Sequence, residues 1–377
     1  MKHASQALRQ RRMSRLVAGL VLSGLSLLAT LGCSLESLYL TWYLESHAQA
    51  LETPAGTDAT PVELTVTPGM GVSEIAAALY ARGLISDAEL FRRYVQSRGW
   101  DTALQAGTYS LQATMTIPEI ALILAEGKVA EQKVTIPEGR RLEEVAALLE
   151  AQASIPAADF IAFARTGWHA ADWAARYSFL ADLPAEASLE GYLFPETYRL
   201  PLHATATDAV ELMVAQFDTR VTPDLRAAFA DQGLSLHQAV TLASIVEREA
   251  VLDAERPVIA SVYYNRLRAG WTLSACPTVQ YALGYRADEA TWWKPQLYYS
   301  DLEVDSPYNT YRHVGLPPGP IASPGLASLQ AVAYPATTDY FFFMVECDHT
   351  DGSHVFARTE EEHMANFARC GGGIISP

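Results

Sequence analysis

The sequence predicts an α+β protein, in which short strands are interleaved with amphipathic helices behind a segment long enough to span a membrane. Three observations lead there. A strand, turn and helix pattern occurs twice, at residues 66–79 and 134–149. The second half carries helical apolar stripes followed by an aromatic run with a hairpin partner. Leu16 to Leu35 contains twenty residues without a charge, about what a helix needs to cross a bilayer.

Taken in order, residues 1–15 form a basic tail. Lys2, Arg9, Arg11, Arg12 and Arg15 are its only charges. Their position before 16–35 puts the N-terminus in the cytoplasm and everything after about residue 36 outside. Tyr39, Trp42 and Tyr43 suit the outer interface. An uncleaved anchor is the favoured reading, and a cleaved signal peptide is its rival. Thr30-Leu-Gly-Cys33 hints at a lipoprotein site, with its small and large residues in an unfavourable order. Without the tail, the remaining 22 of 27 basic residues face 43 acidic ones, a balance of −21. A body that acidic is a poor partner for nucleic acid, which needs clustered Lys and Arg. No metal-ligand spacing and no Gly-rich phosphate loop occurs, so neither a metal nor a cofactor is expected.

A linker is expected over 36–60, its stretch from His47 to Pro61 rich in Ala, Thr, Pro and Gly. A small βα region follows over 61–130. Glu63–Thr67 alternates as a strand, and Ser73 is a candidate N-cap for a helix over 74–81. Ser86 or Asp87 caps a helix over 88–97, Tyr109–Leu111 is a short strand, and Pro118 opens a helix over 118–125. Residues 131–184 hold the second βα unit and a connecting region. Whether the two units share ancestry or only a common supersecondary form is open at this level.

Residues 185–370 differ in character, being richer in aromatics, proline and motif-like clusters. Helices are expected over 236–250 and 254–268, with another near 279–283. Asp339 to Glu346 reads as a buried strand. His354–Ala357 is its hairpin partner, with Asp351-Gly352 in the turn. Thr359 and Glu362 suit a capping box for a last helix, and 371–377 reads as a flexible tail. Cys276, Cys347 and Cys370 fall outside the anchor, where disulfides can persist. Three is odd, and Cys347 with Cys370 is the closer pair.

Within 236–250, Leu242, Ile245, Val246 and Glu249 lie at i, i+3, i+4 and i+7, one stripe of a helix. Glu247 lies roughly 160° away and is expected to face water. Glu249 is therefore the desolvated carboxyl, and desolvation raises its pKa. Spacing alone favours a structural glutamate held by an arginine or a backbone amide. The alternative is a general acid. Arg266 is a candidate partner for either glutamate.

Four segments then form a set. They are Glu190-Gly-Tyr-Leu-Phe-Pro-Glu-Thr-Tyr198, Ala243-Ser-Ile-Val-Glu-Arg-Glu249, Pro277-Thr-Val-Gln-Tyr-Ala-Leu-Gly284, and Tyr308-Asn-Thr-Tyr311 with Gly315-Leu-Pro-Pro-Gly-Pro-Ile-Ala-Ser-Pro-Gly325. In order and spacing they resemble the membrane-bound endolytic murein transglycosylases, the YceG-like family, over about residues 60–368. The resemblance implies a LysM-like small domain over 61–130 and a mixed α/β catalytic domain over 185–370, both held outside the cytoplasmic membrane. It implies lytic cleavage of the MurNAc–GlcNAc β-1,4 bond of nascent peptidoglycan strands, leaving 1,6-anhydro-MurNAc ends and terminating elongation. Glu249 matches the second glutamate of the family's Ile-Val-Glu-x-Glu motif, its catalytic residue. Motif membership makes Glu190, Tyr192, Asn265, Gln280, Tyr308, Asn309 and Tyr311 candidate substrate contacts. Peptidoglycan synthases are candidate partners. Cys276 stands where the family commonly carries Asp. A hydrolytic muramidase is the nearest alternative, with Glu190 or Glu196 as a second carboxylate. A non-catalytic wall-binding protein is the other.

Overall fold

The computed structural model of the chain describes residues 38–370 and 375–376. The basic tail and the expected anchor at 16–35 lie outside the described residues. Among the described residues, no helix is long and apolar enough to cross a membrane. The chain forms a mixed α/β structure with small two-stranded sheets, partitioned into two compact units at Glu131 and Gln132.

The first unit is built on one antiparallel ribbon. β1 (Val62–Val66) pairs with β2 (Gly107–Leu111), with Leu64 opposite Tyr109. Leu64 and Val66 are buried while Glu63 and Thr65 are not, the period-two alternation of a half-buried strand. Around the ribbon lie α1 (Ala48–Glu52), α2 (Val72–Ala81), α3 (Ala88–Ser97) and α4 (Ile117–Glu126). Helix α1 replaces part of the expected linker, because Leu51 is apolar enough to join the unit's core. The cap of α2 is Gly71 instead of Ser73, since the Glu74 carboxylate reaches back to the Gly71 N–H at 2.9 Å. Asp87 caps α3 by accepting from the N–H groups of Glu89 and Leu90. Thr116 caps α4, which begins one residue before Pro118.

The second unit begins at Gln132, within β3 (Glu131–Thr135), which pairs with β4 (Thr197–Pro201). Between them come α5 (Leu142–Ala153) and α6 (Ala157–Arg165). Then follow α7 (Ala206–Arg220), α8 (Pro223–Asp231), α9 (Leu236–Glu249), α10 (Arg256–Ala269), α11 (Cys276–Leu283) and α12 (Leu326–Ala333). Helices α9, α10 and α12 pack on one another. Val240, Leu242, Ile245, Val246, Ile259, Tyr263, Leu329 and Val332 sit in the large core between them.

The aromatic run is shorter and more exposed than the sequence suggests. Strand β6 covers only Phe342–Val345 and is partly buried; it pairs with β7 (His354–Ala357), Phe343 opposite Phe356. The cause lies in α10. Asn265 donates to the carbonyls of Thr338 and Tyr340, at 3.0 and 2.8 Å, and Arg266 Nε donates to the Phe341 carbonyl at 2.7 Å. Side chains of a helix thus occupy carbonyls that a longer strand pairing would use.

Helix α13 (Glu360–Arg369) closes the unit, with Thr359 accepting from the Glu362 N–H. A disulfide joins Cys347, just after β6, to Cys370, just after α13; Cys276 is free. In the segment expected as a tail, β8 (Ile375–Ser376) runs parallel to β5 (Leu297–Tyr298).

Candidate active site

Ser235 starts α9 with a capping box to Gln238. From there the helix carries Leu242, Ile245 and Val246, all fully buried, so its last residue, Glu249, sits on the inward stripe. Ala250 leaves the helical conformation at once. Glu249 is therefore at a helix C-terminus, where the backbone dipole disfavours a negative charge. It opens into a cavity of about 360 Å³, lined also by Arg266, Cys276, Tyr299, Tyr311, Phe342, Phe343, His354, His363 and Phe367. Among the described residues, Glu249 is the only carboxylate in that lining.

Burial pushes the Glu249 pKa above the usual carboxylate range. The Tyr263 hydroxyl, donating to Oε1 at 2.9 Å, opposes this, as do His354 whenever it is protonated and the charges of Arg266 and Arg248. Neither arginine forms an ion pair with it. Arg248 lies over Trp293, 3.9 Å from the ring centroid, and donates to the Gly139 carbonyl at 3.3 Å. Arg266 is occupied by the carbonyls of Phe341 and Leu273. The expected pairing of Arg266 with Glu247 or Glu249 does not occur, because those backbone acceptors are nearer to its planar fork.

Glu247 corrects the helical wheel. Its side chain is 6% exposed and does not face water. Oε2 accepts from the Gly325 N–H at 3.0 Å and the Ser328 hydroxyl at 2.7 Å, and pairs with Arg256 at 3.2 Å. Helix α12 and the Pro-rich loop before it cover that face. A Cβ at Gly325 would meet the Glu138 carboxylate, the end of a flexible side chain that would have to swing aside.

The other sequence candidates divide between two places. Tyr311 lines the Glu249 cavity, and its hydroxyl lies 3.2 Å from the Cys276 sulfur. Burial raises the Cys276 thiol to about 11, so it is a neutral group beside Glu249. Glu190 and Tyr308 line a second cavity of about 430 Å³. Both Glu190 oxygens accept from the Leu142 N–H at 3.1 Å, at the start of α5, and Tyr281 donates at 3.3 Å. Burial pushes the Glu190 carboxyl up to about 8. Glu196 pairs with Arg220 at the surface. Neither of these glutamates lines the Glu249 cavity.

The remaining candidates have structural partners. Tyr192 is fully buried, and its hydroxyl meets His237 Nδ1 at 2.9 Å. Nε2 of the same ring faces the Pro318 carbonyl at 2.8 Å. A carbonyl only accepts, so Nε2 carries the hydrogen and Tyr192 donates to Nδ1. Asn309 is buried and donates to the carbonyls of Leu302 and Val304. Gln280 donates to the Lys294 carbonyl, and Asn265 holds the start of the aromatic run. Gly191, with φ at +83°, lets the first motif press on the fourth, for a Cβ there would meet Pro320 at 2.5 Å. Sequence reasoning missed Tyr263, His354, His363 and Phe367. Tyr263 alone left a signal, as the aromatic one helix along from Glu249.

The sequence profile described as the YceG-like family matches residues 64–369, most of the chain. The chain belongs to the YceG-like family. A relative in Bacillus subtilis, named endolytic murein transglycosylase, is 33% identical over 327 residues, covering 84% of this chain and 87% of the relative. A Streptococcus pneumoniae relative of the same name is 30% identical over 324 residues, 81% of this chain but only 58% of the relative's length. The crystal structure of a YceG-like protein from Listeria monocytogenes shares 34% identity, covers 81% of this chain and 98% of that one, and superposes with a TM-score of 0.54. The YceG-like chain described here thus shares its family with proteins named endolytic murein transglycosylase and its fold with the Listeria protein.

Proposed function

We propose that this chain is a lytic transglycosylase that cleaves the MurNAc–GlcNAc β-1,4 bond of peptidoglycan strands, with Glu249 as its acid and base. The observation that carries the reading is a single carboxylate, raised in pKa by burial, opening into a cavity walled by Phe342, Phe343, Tyr311 and Phe367. In the first half, protonated Glu249 gives its proton to the glycosidic oxygen as the bond from C1 breaks. In the second, the sugar's own C6 hydroxyl bonds to C1, and its proton returns to the Glu249 carboxylate. The product is a 1,6-anhydro ring, and no water is consumed. An intramolecular nucleophile removes the need for a second carboxylate to activate water. The names of the relatives support the same substrate. The aromatic walls suit the apolar faces of sugar rings.

Mass spectrometry of uncrosslinked glycan digested by the protein tests this. Fragments are expected to end in anhydro-MurNAc, 18 Da lighter than hydrolytic ends by the mass of one water. Ordinary reducing ends would establish a muramidase instead.

Tyr263 supplies a pH prediction. Its hydrogen bond favours the ionised form of Glu249, so Tyr263→Phe raises the pKa of that carboxyl further. Glu249 must be protonated to start the reaction. The alkaline limb of kcat/KM against pH is therefore expected to move to higher pH, and a shift to lower pH would contradict the assignment.

The same proposal places the catalytic unit outside the cytoplasmic membrane. It rests on the uncharged segment 16–35 behind its five basic residues, and on a disulfide of the kind that persists in oxidising compartments. The first unit, with its ribbon and helices, would be the LysM-like module that binds the glycan strand.

A further inference from the structure

A second polar group shares the Glu249 cavity, and no sequence motif pointed to it. His354 opens β7, and its side chain is 4% exposed. Glu255, in the short turn Asp253–Glu255 after α9, grips it twice. Oε1 accepts from the His354 backbone N–H at 2.9 Å, and Oε2 meets ring Nδ1 at 2.7 Å. A carboxylate accepts, so Nδ1 carries the hydrogen and the tautomer is fixed. The ring also stands edge-on to Phe343, with centroids 5.4 Å apart. Orientation is thus set on two sides. Nε2 has no hydrogen-bond partner among the described residues, and His354 lines the cavity that Glu249 lines.

One ring nitrogen is thus clamped by Glu255, and the other is left to meet a ligand that enters the cavity. With Nδ1 donating to Glu255, the ring in its neutral form accepts at Nε2. Its complement is a hydroxyl or acetamido N–H, the donors a glycan offers.

We propose that His354 contacts the glycan directly in the Glu249 cleft, accepting a hydrogen bond from a sugar donor through Nε2, and that Glu255 is its positioning residue. The inference rests on the cleft being the glycan site. It requires no proton transfer to His354; the ring fixes the sugar while Glu249 does the chemistry. Because the two groups come from α9 and β7, binding across them sets the sugar relative to the acid.

His354→Asn is the discriminating variant. The Asn amide can still donate to Glu255 as Nδ1 did, but nothing remains at the Nε2 position. His354→Gln instead carries an amide oxygen to about that position. We expect His354→Asn to lower kcat/KM on uncrosslinked glycan about 10- to 100-fold, the range of a hydrogen bond in a buried polar site. Its melting temperature should stay within a few degrees of the parent, and His354→Gln should recover part of the loss. His354→Asn cleaving like the parent would overturn the proposal. A binding arm reads His354 independently of cleavage. Soluble uncrosslinked glycan is titrated into full-length Glu249→Gln protein with and without His354→Asn. Weaker binding by the double variant supports the contact; equal binding, or none by Glu249→Gln alone, overturns it. If Glu249→Gln still cleaves, the catalytic reading fails while the comparison of the two affinities still decides His354.

Discussion

Glu249→Gln is expected to reduce glycan cleavage by about 10³-fold or more while leaving the fold and glycan binding in place. General acid–base groups typically contribute 10²- to 10⁴-fold, and here one residue serves in both halves of the reaction. The substitution is close to isosteric. Tyr263 can donate to the Gln carbonyl as it does to Oε1, so the hydroxyl is not orphaned. No arginine loses an ion pair, since Arg248 and Arg266 are held by carbonyls and by Trp293. Stability should therefore change little, or rise slightly as the cost of burying an ionisable group disappears. Retained cleavage of purified glycan by Glu249→Gln would end the assignment. Near-background cleavage with a native circular dichroism spectrum and unchanged melting temperature would support it.

Glu247→Gln, two residues earlier, should do the reverse: lower stability strongly and act on cleavage only through the fold. Glu247 and Arg256 have side chains 6% and 8% exposed and lie 3.2 Å apart. Removing one partner of a buried pair strands the other charge, at a cost of about 3–5 kcal/mol. Asp253, at 2.9 Å from Arg256 Nε but 82% exposed, offsets part of that, so the lower end is expected. For a unit of this size the melting temperature falls by roughly 2–4 °C per kcal/mol, or about 6–12 °C in total. Replacing both partners with apolar residues, Glu247→Leu with Arg256→Met, should restore some of the loss, because the stranded charge is gone. A Glu247→Gln protein as stable as the parent would show that the pair carries no net weight.

The contrast between these two glutamates shows what the chain alone could disclose. Glu249 was legible because Leu242, Ile245 and Val246 mark one face of α9, and burial of that face follows from local periodicity. Glu247 was not. The wheel of an isolated helix leaves its side to water, whereas α12 and the Gly325 turn, some eighty residues on, cover it. The hairpin of β6 and β7 was visible in its aromatic pattern and its Asp-Gly turn. The true start of β6 was hidden, because Asn265 and Arg266 on another helix claim the carbonyls before it. Short helices such as α3 and α4 were read closely, since Asp87 and Pro118 act within one turn of chain. Glu255 and His354 lie ninety-nine positions apart, and no period or spacing joins them. Motif membership gathered Tyr192, Asn309 and Gln280 into one set, but a motif also records residues that hold loops in place, and these three bond to backbone or to a half-buried histidine.

The disulfide has a bearing on how the cleft opens. Cys347 and Cys370 are 23 positions apart, and the span between them contains His354, His363 and Phe367, three of the residues that line the cavity. Tying its ends restricts the disordered alternatives of that span, worth roughly 3 kcal/mol for a loop of such size. Peripheral hairpins and terminal helices otherwise tend to come loose by sub-global opening, well below the free energy of complete unfolding. Here the cross-link raises the free energy of that partial excursion without altering any core contact. Amide exchange along β7 and α13 is accordingly expected to be slower with the disulfide intact than after its reduction, and the wall that faces Glu249 to open less often.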